Sequence, residues 1–501
     1  MLDFVKHLHN YVIGGTTMSV QQNGKTFFGH PFQLSSLFHI ELWERFSFYG
    51  MQAILLFYLY FEASKGGLGI DKAEAGGISA IYGGSIYLLT LLGGWISDRV
   101  LGAERTLFYS GITVMAGHIA LAIFPGLAGL LAGLILVALG SGGVKASASA
   151  MVGSLYEHDD TKHLRDAGFS LFYLSINIGA FFGPLLTGYL QDKIGFHWGF
   201  GAAAVGMAFG LAQYARGRKN LPPTAAVNPL KPNEKAFVLA GFIGALVVLA
   251  IVFATGLVNY NNFKNVLFGV VLVVTTIYFA RLFITGKQLG AKTNYIIAYI
   301  PLFIAACIFW AVWFQVFTAV SIYFETFMKM NRMIGDFEVP PAWLTSAQGL
   351  WVILLASGMA AMWTKMGDKQ PKTPFKFALS LIVVGLAYAV FLPYTYSNTI
   401  MSMVGMVFVL FLLTVAELLI SPISLSLATK IAPTQFKTQM VALNFLTISV
   451  GITAGGKLFG AYYDEQNLSK FFELMTYLGV GAGCILLLLV PVLNKLLKGI
   501  D

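Results

Sequence analysis

The sequence predicts an all-α protein that crosses a membrane many times. Of its 501 residues, 57% are hydrophobic and only 11% are charged, and the mean hydropathy is +0.73. A soluble protein of this length carries far more charge. Apolar stretches of about 20 residues, the length that spans a bilayer as a helix, recur along nearly the whole chain. A membrane β-barrel is disfavoured, because its strands are short and alternate between apolar and polar residues.

These apolar stretches predict fourteen transmembrane helices. They occupy residues 36–61, 75–97, 106–125, 128–150, 166–190, 196–216, 236–257, 262–284, 295–326, 343–366, 374–394, 400–427, 436–463 and 471–495. The seventh and eighth helices follow a basic loop and contain no deeply placed ionisable side chain, so we expect a lipid-facing linker hairpin. Six helices remain on each side of it. The predicted segments are an N-terminal segment (1–35), a first bundle (36–217), the loop with its hairpin (218–292) and a second bundle (293–501).

Basic residues predict the orientation of the chain. Most lysines and arginines lie in alternate short loops, a distribution that places both termini in the cytoplasm. The first 35 residues lack a signal-peptide pattern, so we expect the first helix to act as the insertion signal. Because the net charge of +9 is spread over these loops, it does not indicate a nucleic-acid partner. Cys307 and Cys484 are far apart and show no disulfide or metal-ligand spacing.

Three formal charges interrupt the first predicted helix. Glu41, Glu44 and Arg45 stand at positions i, i+3 and i+4 and therefore share one helical face. A charge at this depth costs about 3 kcal/mol or more unless it is paired or lines a wet cavity. Two carboxylates beside a guanidinium can hold or release one proton, depending on whether the guanidinium is engaged elsewhere. Such chemistry is typical of a proton-coupled carrier.

Six helices plus six, joined by a basic central region, resemble the major facilitator architecture, in which two bundles rock about a site at the midplane. Gly94, Asp98, Arg99, Gly102 and Arg105 between the second and third helices are similar to the loop motif of that superfamily. An ordinary charged turn is the alternative interpretation. The resemblance implies that Asp98, Arg99 and Arg105 act in gating, since an aspartate at one helix end can bind a neighbouring helix N-terminus.

Three further motifs resemble the proton-dependent oligopeptide transporter family. Glu-x-x-Glu-Arg-Phe-x-x-Tyr-Gly begins at Glu41, Phe-Tyr-Leu-Ser-Ile-Asn-Ile-Gly begins at Phe172, and Glu-Leu-Leu-Ile-Ser-Pro begins at Glu417. With the helix count, the resemblance covers nearly the whole chain. It implies a bacterial inner-membrane symporter that imports di- and tripeptides with protons. We expect such a carrier to work as a monomer in the lipid bilayer and to need no cofactor.

The resemblance also assigns roles to individual residues. Glu41, Glu44 and Arg45 match the proton-coupling cluster, and Lys145 matches a buried lysine that interacts with it and with the carboxylate end of the peptide. Glu417 matches the carboxylate that receives the amino terminus of the peptide. The full set of expected substrate contacts is Tyr49, Tyr87, Lys145, Asn177, Trp310, Gln315, Gln348, Glu417 and Ser421.

The residue chemistry supports this division independently. A zwitterionic peptide needs an anionic and a cationic anchor on opposite walls, and Glu417 lies in the second bundle while Arg45 and Lys145 lie in the first. Purely structural roles remain as alternatives for several of these positions. Glu417 is alternatively a structural carboxylate near a proline kink, and Lys145 alternatively extends to the membrane surface. Tyr87 and Asn177 are alternatively interhelical hydrogen-bond partners.

Some positions depart from the family pattern. Phe48 replaces a tyrosine, Gln52 replaces an arginine, and Phe314 replaces a glutamate. In relatives the last two positions form an outer ion pair, and the loss of both leaves neither charge unpaired. We therefore expect proton coupling to depend on Glu41 and Glu44.

Other functions remain as alternatives. A carrier of another small solute, such as nitrate or a peptide-like compound, fits the same scaffold. Glu417 argues against a bare anion, because the carboxylate that anchors an ammonium group repels it. A membrane-embedded enzyme is disfavoured, since the sequence shows no metal-binding histidine cluster, no nucleophile motif and no large soluble domain. Isolated midplane charges between paired bundles fit alternating access better than a channel.

Overall fold

A computed structural model describes residues 26–157, 161–222, 226, 229–257, 262–288, 293–431 and 437–498. The first bundle contains the helices α1 (Gln33–Tyr60), α2 (Lys72–Ile96), α3 (Ala103–Ile123), α4 (Gly126–Ser154), α5 (Arg165–Lys193) and α6 (Phe196–Gly217). The linker hairpin consists of α7 (Pro232–Ala254) and α8 (Phe263–Gln288). The second bundle contains α9 (Thr293–Trp313), α10 (Ala319–Thr326), α11 (Trp343–Met366), α12 (Thr373–Ala389), α13 (Leu392–Tyr396), α14 (Met403–Ile431), α15 (Lys437–Tyr462) and α16 (Leu468–Leu496).

The predicted all-α polytopic architecture is confirmed over the described residues. Eleven helical stretches there are long and apolar enough to cross a membrane. In the described ranges the strands form two short antiparallel ribbons, β1 (Thr26–Phe27) with β2 (His30–Pro31) and β3 (Met333–Ile334) with β4 (Phe337–Glu338). We call the side on which α1 begins and α16 ends the terminal face, and the opposite side the distal face.

Two of the predicted helices are interrupted. The predicted helix 295–326 is divided into α9 and α10 by a 3-10 turn at Phe314–Phe317, and the predicted helix 374–394 is divided into α12 and α13. Side chains bind the backbone at the first interruption. Gln315 Nε2 donates to the carbonyls of Ala311 and Gly455, at 2.9 and 3.1 Å, and Ser321 Oγ donates to the carbonyl of Val316 at 2.7 Å. Such bonds are needed because a backbone carbonyl freed inside a membrane has no water to bind.

Close backbone contact holds α1 against α5 in the first bundle. A Cβ atom on Gly183 would lie 2.3 Å from the carbonyl oxygen of Phe46, so only glycine fits this position without a shift. Thr187 Oγ1 donates a hydrogen bond of 2.9 Å to the carbonyl of Gly50. Small residues at helix interfaces allow this approach and are typical of membrane helices. The contact fixes α1, which carries the three charged residues, relative to α5.

The two bundles meet along α2 with α15 and along α5 with α11. Ser449 Oγ on α15 donates to the carbonyl of Gly84 on α2 at 2.8 Å. Trp343 Nε1 on α11 donates to the carbonyl of Leu185 on α5 at 3.0 Å. Gly84 and Ser449 stand midway along their helices, whereas Trp343 and Leu185 lie toward the distal face. These contacts close the space between the bundles in the distal half of the protein.

The linker hairpin contacts both bundles and also presents apolar side chains outward. Lys264 Nζ on α8 lies 3.7 Å from Glu74 Oε1 on α2, and Lys457 Nζ on α15 lies 4.8 Å from the ring of Phe268 on α8. Phe237 and other apolar side chains of α7 are exposed, as expected of a surface that faces lipid.

Candidate functional site

The three charged residues of α1 form one buried cluster. Arg45 Nε lies 2.8 Å from Glu41 Oε1 and 2.7 Å from Glu44 Oε2. The single hydrogen on Nε is directed at Glu41, so the close contact with Glu44 is an ion pair without a hydrogen bond. Ser141 Oγ on α4 donates to Glu44 Oε1 at 2.9 Å. All three charged residues are at most 3% exposed, so the cluster is held in a low-dielectric environment.

Lys145 lies beside this cluster on α4. Its Nζ is 5.1 Å from the ring centroid of Phe48 and 5.2 Å from that of Tyr87, and the guanidinium carbon of Arg45 is 5.6 Å from the Phe48 ring. Both cations therefore use the face of Phe48, at distances typical of cation–π contacts. Lys145 thus points into the first bundle, which contradicts the alternative that it extends to the membrane surface. Its side chain remains partly exposed.

Glu417 on α14 faces the first bundle. It interacts electrostatically with Tyr49, Tyr87 and Tyr173, which belong to α1, α2 and α5. Glu417 is partly exposed, and within the described ranges it forms no ion pair. A carboxylate in the middle of a membrane helix, without a cationic partner there, is costly unless it lines a polar cavity.

Tyrosines and an asparagine line the first-bundle side of the same space. Asn177 Nδ2 donates to the carbonyl of Tyr173 at 2.8 Å, one turn earlier on α5. Tyr173 is 46% exposed although it lies within a spanning helix and interacts with Glu417, so solvent-accessible space separates the bundles here. The ring of Tyr87 stacks on Phe445 of α15, with centroids 6.3 Å apart. Tyr49 contacts Phe48 edge to face at 5.1 Å.

The second-bundle residues that we expect to contact a peptide differ in their exposure and in whether their polar groups are already hydrogen-bonded. Trp310 packs edge to face against Phe309 and Trp313, at 5.1 and 5.2 Å. Gln348 is buried, and its Nε2 has no hydrogen-bond partner in the described part of the chain. Ser421 is partly exposed, one turn beyond Glu417 on α14.

The prediction that Gln315 contacts a peptide does not fit this geometry. Its side chain is fully buried, its Nε2 donates to two backbone carbonyls, and its Oε1 accepts from Thr318 Oγ1 at 2.7 Å. The amide is therefore engaged in bracing the interruption between α9 and α10. The sequence did not indicate this role, because no glycine or proline marks the interruption.

The charged residues of the loop between α2 and α3 differ in their exposure and in their ion-pair partners. Asp98 lies on a π-helical turn, Ser97–Leu101, with a partly exposed side chain, and Arg105 is exposed at the start of α3. Arg99 Nη2 forms a 2.9 Å ion pair with Glu234 at the start of the linker hairpin. The gating role of this loop stays a prediction, and the contact observed for Arg99 is with the hairpin.

Gln52 and Phe314, the positions at which the resemblance led us to expect charges, make neutral contacts. Gln52 Nε2 donates to Ser79 Oγ at 3.0 Å, within the first bundle. Phe314 lies against Gly83 of α2, where an added Cβ would be 3.3 Å from its ring. Residues of α1, α2 and the interrupted helix therefore meet here through packing and one neutral hydrogen bond.

Sequence reasoning missed two contributors to the site. Ser141 binds Glu44, and its position four residues before Lys145 puts both side chains on one face of α4. Phe445 forms the second-bundle side of the Tyr87 stack. The helical spacing was a usable signal for Ser141, whereas no local pattern distinguishes Phe445 from other apolar residues of α15.

Two packed helical bundles define a membrane carrier of the major facilitator type: one has a buried charged cluster, and the other directs toward it a carboxylate that forms no ion pair with the residues described. A family model described as "PTR2: POT family" matches residues 104–475. The di-/tripeptide transporter of Lactococcus lactis subsp. cremoris is 38% identical over 495 residues, covering 96% of this chain and 99% of the relative. The uncharacterized transporter YclF of Bacillus subtilis is 38% identical over 488 residues, covering 96% and 98%. The chain therefore belongs to the POT family.

Solved structures support the same assignment. The crystal structure of a peptide transporter POT in complex with sulfate superposes with a TM-score of 0.89 at 39% identity, covering 95% of this chain and 97% of that one. The predicted major facilitator fold is thereby confirmed. Membership of this family makes the protein a transporter rather than an enzyme, and carriers of this family need no cofactor. No cluster of metal-binding side chains occurs among the residues whose positions are described.

Proposed function

We propose that the protein imports di- and tripeptides together with protons, and that the peptide is held between the two bundles. The observation that carries this proposal is Glu417, an anionic side chain that faces the cationic side chains of the first bundle across solvent-accessible space. The relative from Lactococcus lactis, named as a di-/tripeptide transporter, supports the same substrate class. Transport follows alternating access, in which the bundles expose the site to each side in turn.

The peptide is held by its two ends. Its ammonium group binds Glu417, which forms no other ion pair among the described residues, and its carboxylate binds Lys145 and Arg45. Arg45 Nη2 has no hydrogen-bond partner in the described structure and is an available donor. A molecule with only a negative charge gains nothing from Glu417 and is repelled by it, which disfavours nitrate as the substrate.

Glu44 is the carboxylate that takes up the proton. Its Oε1 accepts a hydrogen bond from Ser141 Oγ, while its Oε2 lies next to Arg45 Nε without a hydrogen bond. When the peptide carboxylate draws Arg45 away, Glu44 loses its nearest positive charge, and protonation then becomes favourable because an unpaired buried charge is costly. Glu41, which shares the same guanidinium, acts with Glu44.

We further propose the cellular setting and the division of the chain. The carrier lies in a bacterial inner membrane with both termini in the cytoplasm, so the distal face is outside. Segments 1–35, 36–217, 218–292 and 293–501 are the terminal region, the first bundle, the loop with its hairpin and the second bundle. One chain suffices for transport, because both anchors and the coupling cluster come from a single chain. The remaining partners are protons and the lipid bilayer, and no nucleic acid is involved.

Uptake into proteoliposomes tests this function. Wild-type protein is expected to accumulate labelled dialanine when the outside is acidic and to equilibrate it without a pH gradient. In Glu44→Gln the acid stimulation is expected to fall by about tenfold, within the usual range for coupling between two bound ligands. Exchange of internal for external dialanine, which needs no net proton movement, is expected to persist.

Glu62→Gln is the matched control, because Glu62 is exposed just beyond the end of α1. Its acid stimulation is expected to equal that of the wild type. Acid stimulation at the wild-type level in Glu44→Gln would refute the assignment of the proton to Glu44. Accumulation of nitrate but not dialanine by the wild type would refute peptide transport.

A further inference from the structure

A polar network joins the bundles at the distal face. Lys72 Nζ lies 2.6 Å from Glu465 Oε1 and donates to Thr326 Oγ1 at 3.1 Å. Thr326 Oγ1 donates to Glu325 Oε2 at 2.9 Å, and Tyr60 OH donates to the same oxygen at 2.8 Å. Lys72 Nζ also lies 5.2 Å from the ring of Tyr60. These five residues, which we call the latch cluster, form one continuous network.

The latch cluster draws on both bundles. Tyr60 ends α1 and Lys72 begins α2, whereas Glu325 and Thr326 end α10 and Glu465 follows α15. The Lys72–Glu465 ion pair and the hydrogen bonds Lys72–Thr326 and Tyr60–Glu325 cross from one bundle to the other, whereas the Glu325–Thr326 bond and the Lys72–Tyr60 ring contact each lie within one bundle. Separation of the bundles at the distal face must break all of these crossing bonds together.

An apolar layer lies directly beneath the latch cluster. A Cβ on Gly76 of α2 would lie 2.2 Å from the ring of Phe459 on α15, so this ring covers the glycine closely. Deeper in the membrane, Phe314 packs on Gly83. Phe314 and Gln52 are both uncharged, whereas the ion pair between Lys72 of the first bundle and Glu465 of the second lies at the distal rim.

We infer that the latch cluster is the gate that holds the distal face closed, with Lys72 and Glu465 as its ionic contact and Tyr60 and Glu325 as its hydrogen-bonded contact. The inference rests on the proposed function, because a gate requires a carrier that opens to both sides. A contact present only in the closed state lowers the free energy of that state alone, and its removal shifts the population toward the open state.

Simple surface ion pairs contribute little, and this pair is partly exposed, with side-chain exposures of 27% for Lys72 and 37% for Glu465. The latch cluster differs from such a pair in two respects. Tyr60 is buried at 9% exposure and places its hydroxyl on Glu325 across the bundle interface. In addition, Lys72 contacts a carboxylate and a hydroxyl of the second bundle at once while lying over a ring of its own bundle, so several contacts depend on the same relative position of the bundles.

The experiment measures how often the interface opens. Ser449→Cys is introduced after Cys307→Ala and Cys484→Ala, which remove both native thiols. Ser449 is fully buried between the bundles, so a bulky maleimide reaches a cysteine there only after the bundles separate. Labelling is followed in detergent, where orientation in a membrane has no effect, and without peptide.

Lys72→Met and Glu465→Gln are expected to raise the labelling rate of Cys at position 449 several-fold. Tyr60→Phe, which removes one hydroxyl, is expected to raise it less. Lys65→Met is the matched control, since Lys65 is exposed on the same face and lies over Phe61 of its own bundle. Ser380→Cys controls for general loosening: Ser380 is equally buried and bonded to a carbonyl, but lies within the second bundle, so its labelling is expected to stay slow.

The possible results distinguish failure of the gate proposal from failure of the proposed substrate. Unchanged labelling at position 449 in all three variants would overturn the gate while leaving peptide transport intact. Equal acceleration at positions 449 and 380 would also overturn it, because it would indicate loss of packing rather than opening. Faster labelling at position 449 alone supports the gate even where the wild type fails to accumulate dialanine, in which case only the proposed substrate is wrong.

Discussion

At the scale of single residues, the charges to which we assign a role in transport differ in their contacts from polar groups that hold the structure together. Arg45 divides its one Nε between two carboxylates, so a small displacement of this side chain changes the surroundings of both. Gln315 is the opposite case: every polar atom of its side chain is bonded within its own bundle. Sequence position alone assigned both to the transport pathway.

His30 provides a titratable contact outside the membrane-spanning helices. It is 5% exposed, and its Nδ1 lies 2.9 Å from Tyr156 OH, beyond the end of α4. Burial lowers the pKa of His30 below its usual value of 6.5. The unfolded chain therefore binds more protons than the folded chain below about pH 6.5, so the free energy of unfolding decreases as the pH falls through that value.

We predict that wild-type protein loses thermal stability between pH 7 and pH 5 more steeply than His30→Gln. One proton taken up on unfolding changes the free energy of unfolding by at most about 1.4 kcal/mol per pH unit. Tm in detergent, measured across this range, reports the difference in slope. His163→Gln, at an exposed histidine on the same face, is the control and should retain the wild-type slope. Equal slopes for wild type and His30→Gln would contradict the prediction.

The residues of the site divide into those that sequence can predict and those that it cannot. Glu41, Glu44 and Arg45 were predictable as a cluster, because helical spacing places them together and the membrane forbids unpaired charges. Glu465 was not predictable as a partner of Lys72, because 393 residues separate them and no periodic pattern links a loop to a distant helix.

At the scale of helices, close contact between α1 and α5 determines where the charged cluster lies. The Gly183 contact described above leaves no room for a methyl group beside the carbonyl of Phe46. Gly179, one turn earlier, is similarly restricted, with an added Cβ 2.4 Å from the carbonyl of Leu42. A substitution here acts on the spacing between two helices and leaves the charged side chains themselves unchanged.

We predict that Gly183→Ala lowers the free energy of unfolding by about 1–3 kcal/mol, the usual cost of overpacking a tight contact. A lower Tm in detergent is the expected measurement. Gly481→Ala is the matched control, because Gly481 is also helical and an added Cβ there meets nothing within 4 Å. It is expected to leave Tm unchanged or to raise it, since alanine has the higher helix propensity. Equal effects of the two substitutions would contradict the packing argument.

Helix existence was predictable and helix interruption was not. Hydropathy predicted a helical segment at 295–326, and the structure contains helix on both sides of the break there. The interruption at Phe314–Phe317 falls in a run that is apolar apart from Gln315 and contains no glycine or proline, and partners from other helices stabilise it. Tyr388 OH on α12, for example, donates to the carbonyl of Val312 at 2.8 Å. Such partners depend on tertiary packing, which local sequence does not encode.

At the scale of the whole molecule, hydropathy and loop charge were sufficient to predict the number and grouping of the helices. They do not determine which face is closed, because one sequence must support at least two relative positions of the bundles. The contacts along α2 and α15 belong to one of these positions. They depend on glycines that allow close approach, which are also common in helices that never separate.

We predict that both termini lie in the cytoplasm. A green fluorescent protein fused after Asp501 is expected to fluoresce, and alkaline phosphatase fused at the same position is expected to be inactive, because the loops on the terminal face carry most of the lysines and arginines. Alkaline phosphatase inserted in the loop between α11 and its preceding ribbon, on the distal face, serves as the positive control. An active fusion at Asp501 would reverse the orientation and place the latch cluster on the cytoplasmic side.

The division between α9 and α10 has a mechanical consequence. A continuous helix moves as one rigid unit, whereas a helix interrupted near its end allows the last segment to change direction separately. The last segment here is the eight-residue α10, which ends in Glu325 and Thr326. If the latch cluster opens, α10 can therefore change its direction at Phe314–Phe317 while α9 stays packed in the second bundle.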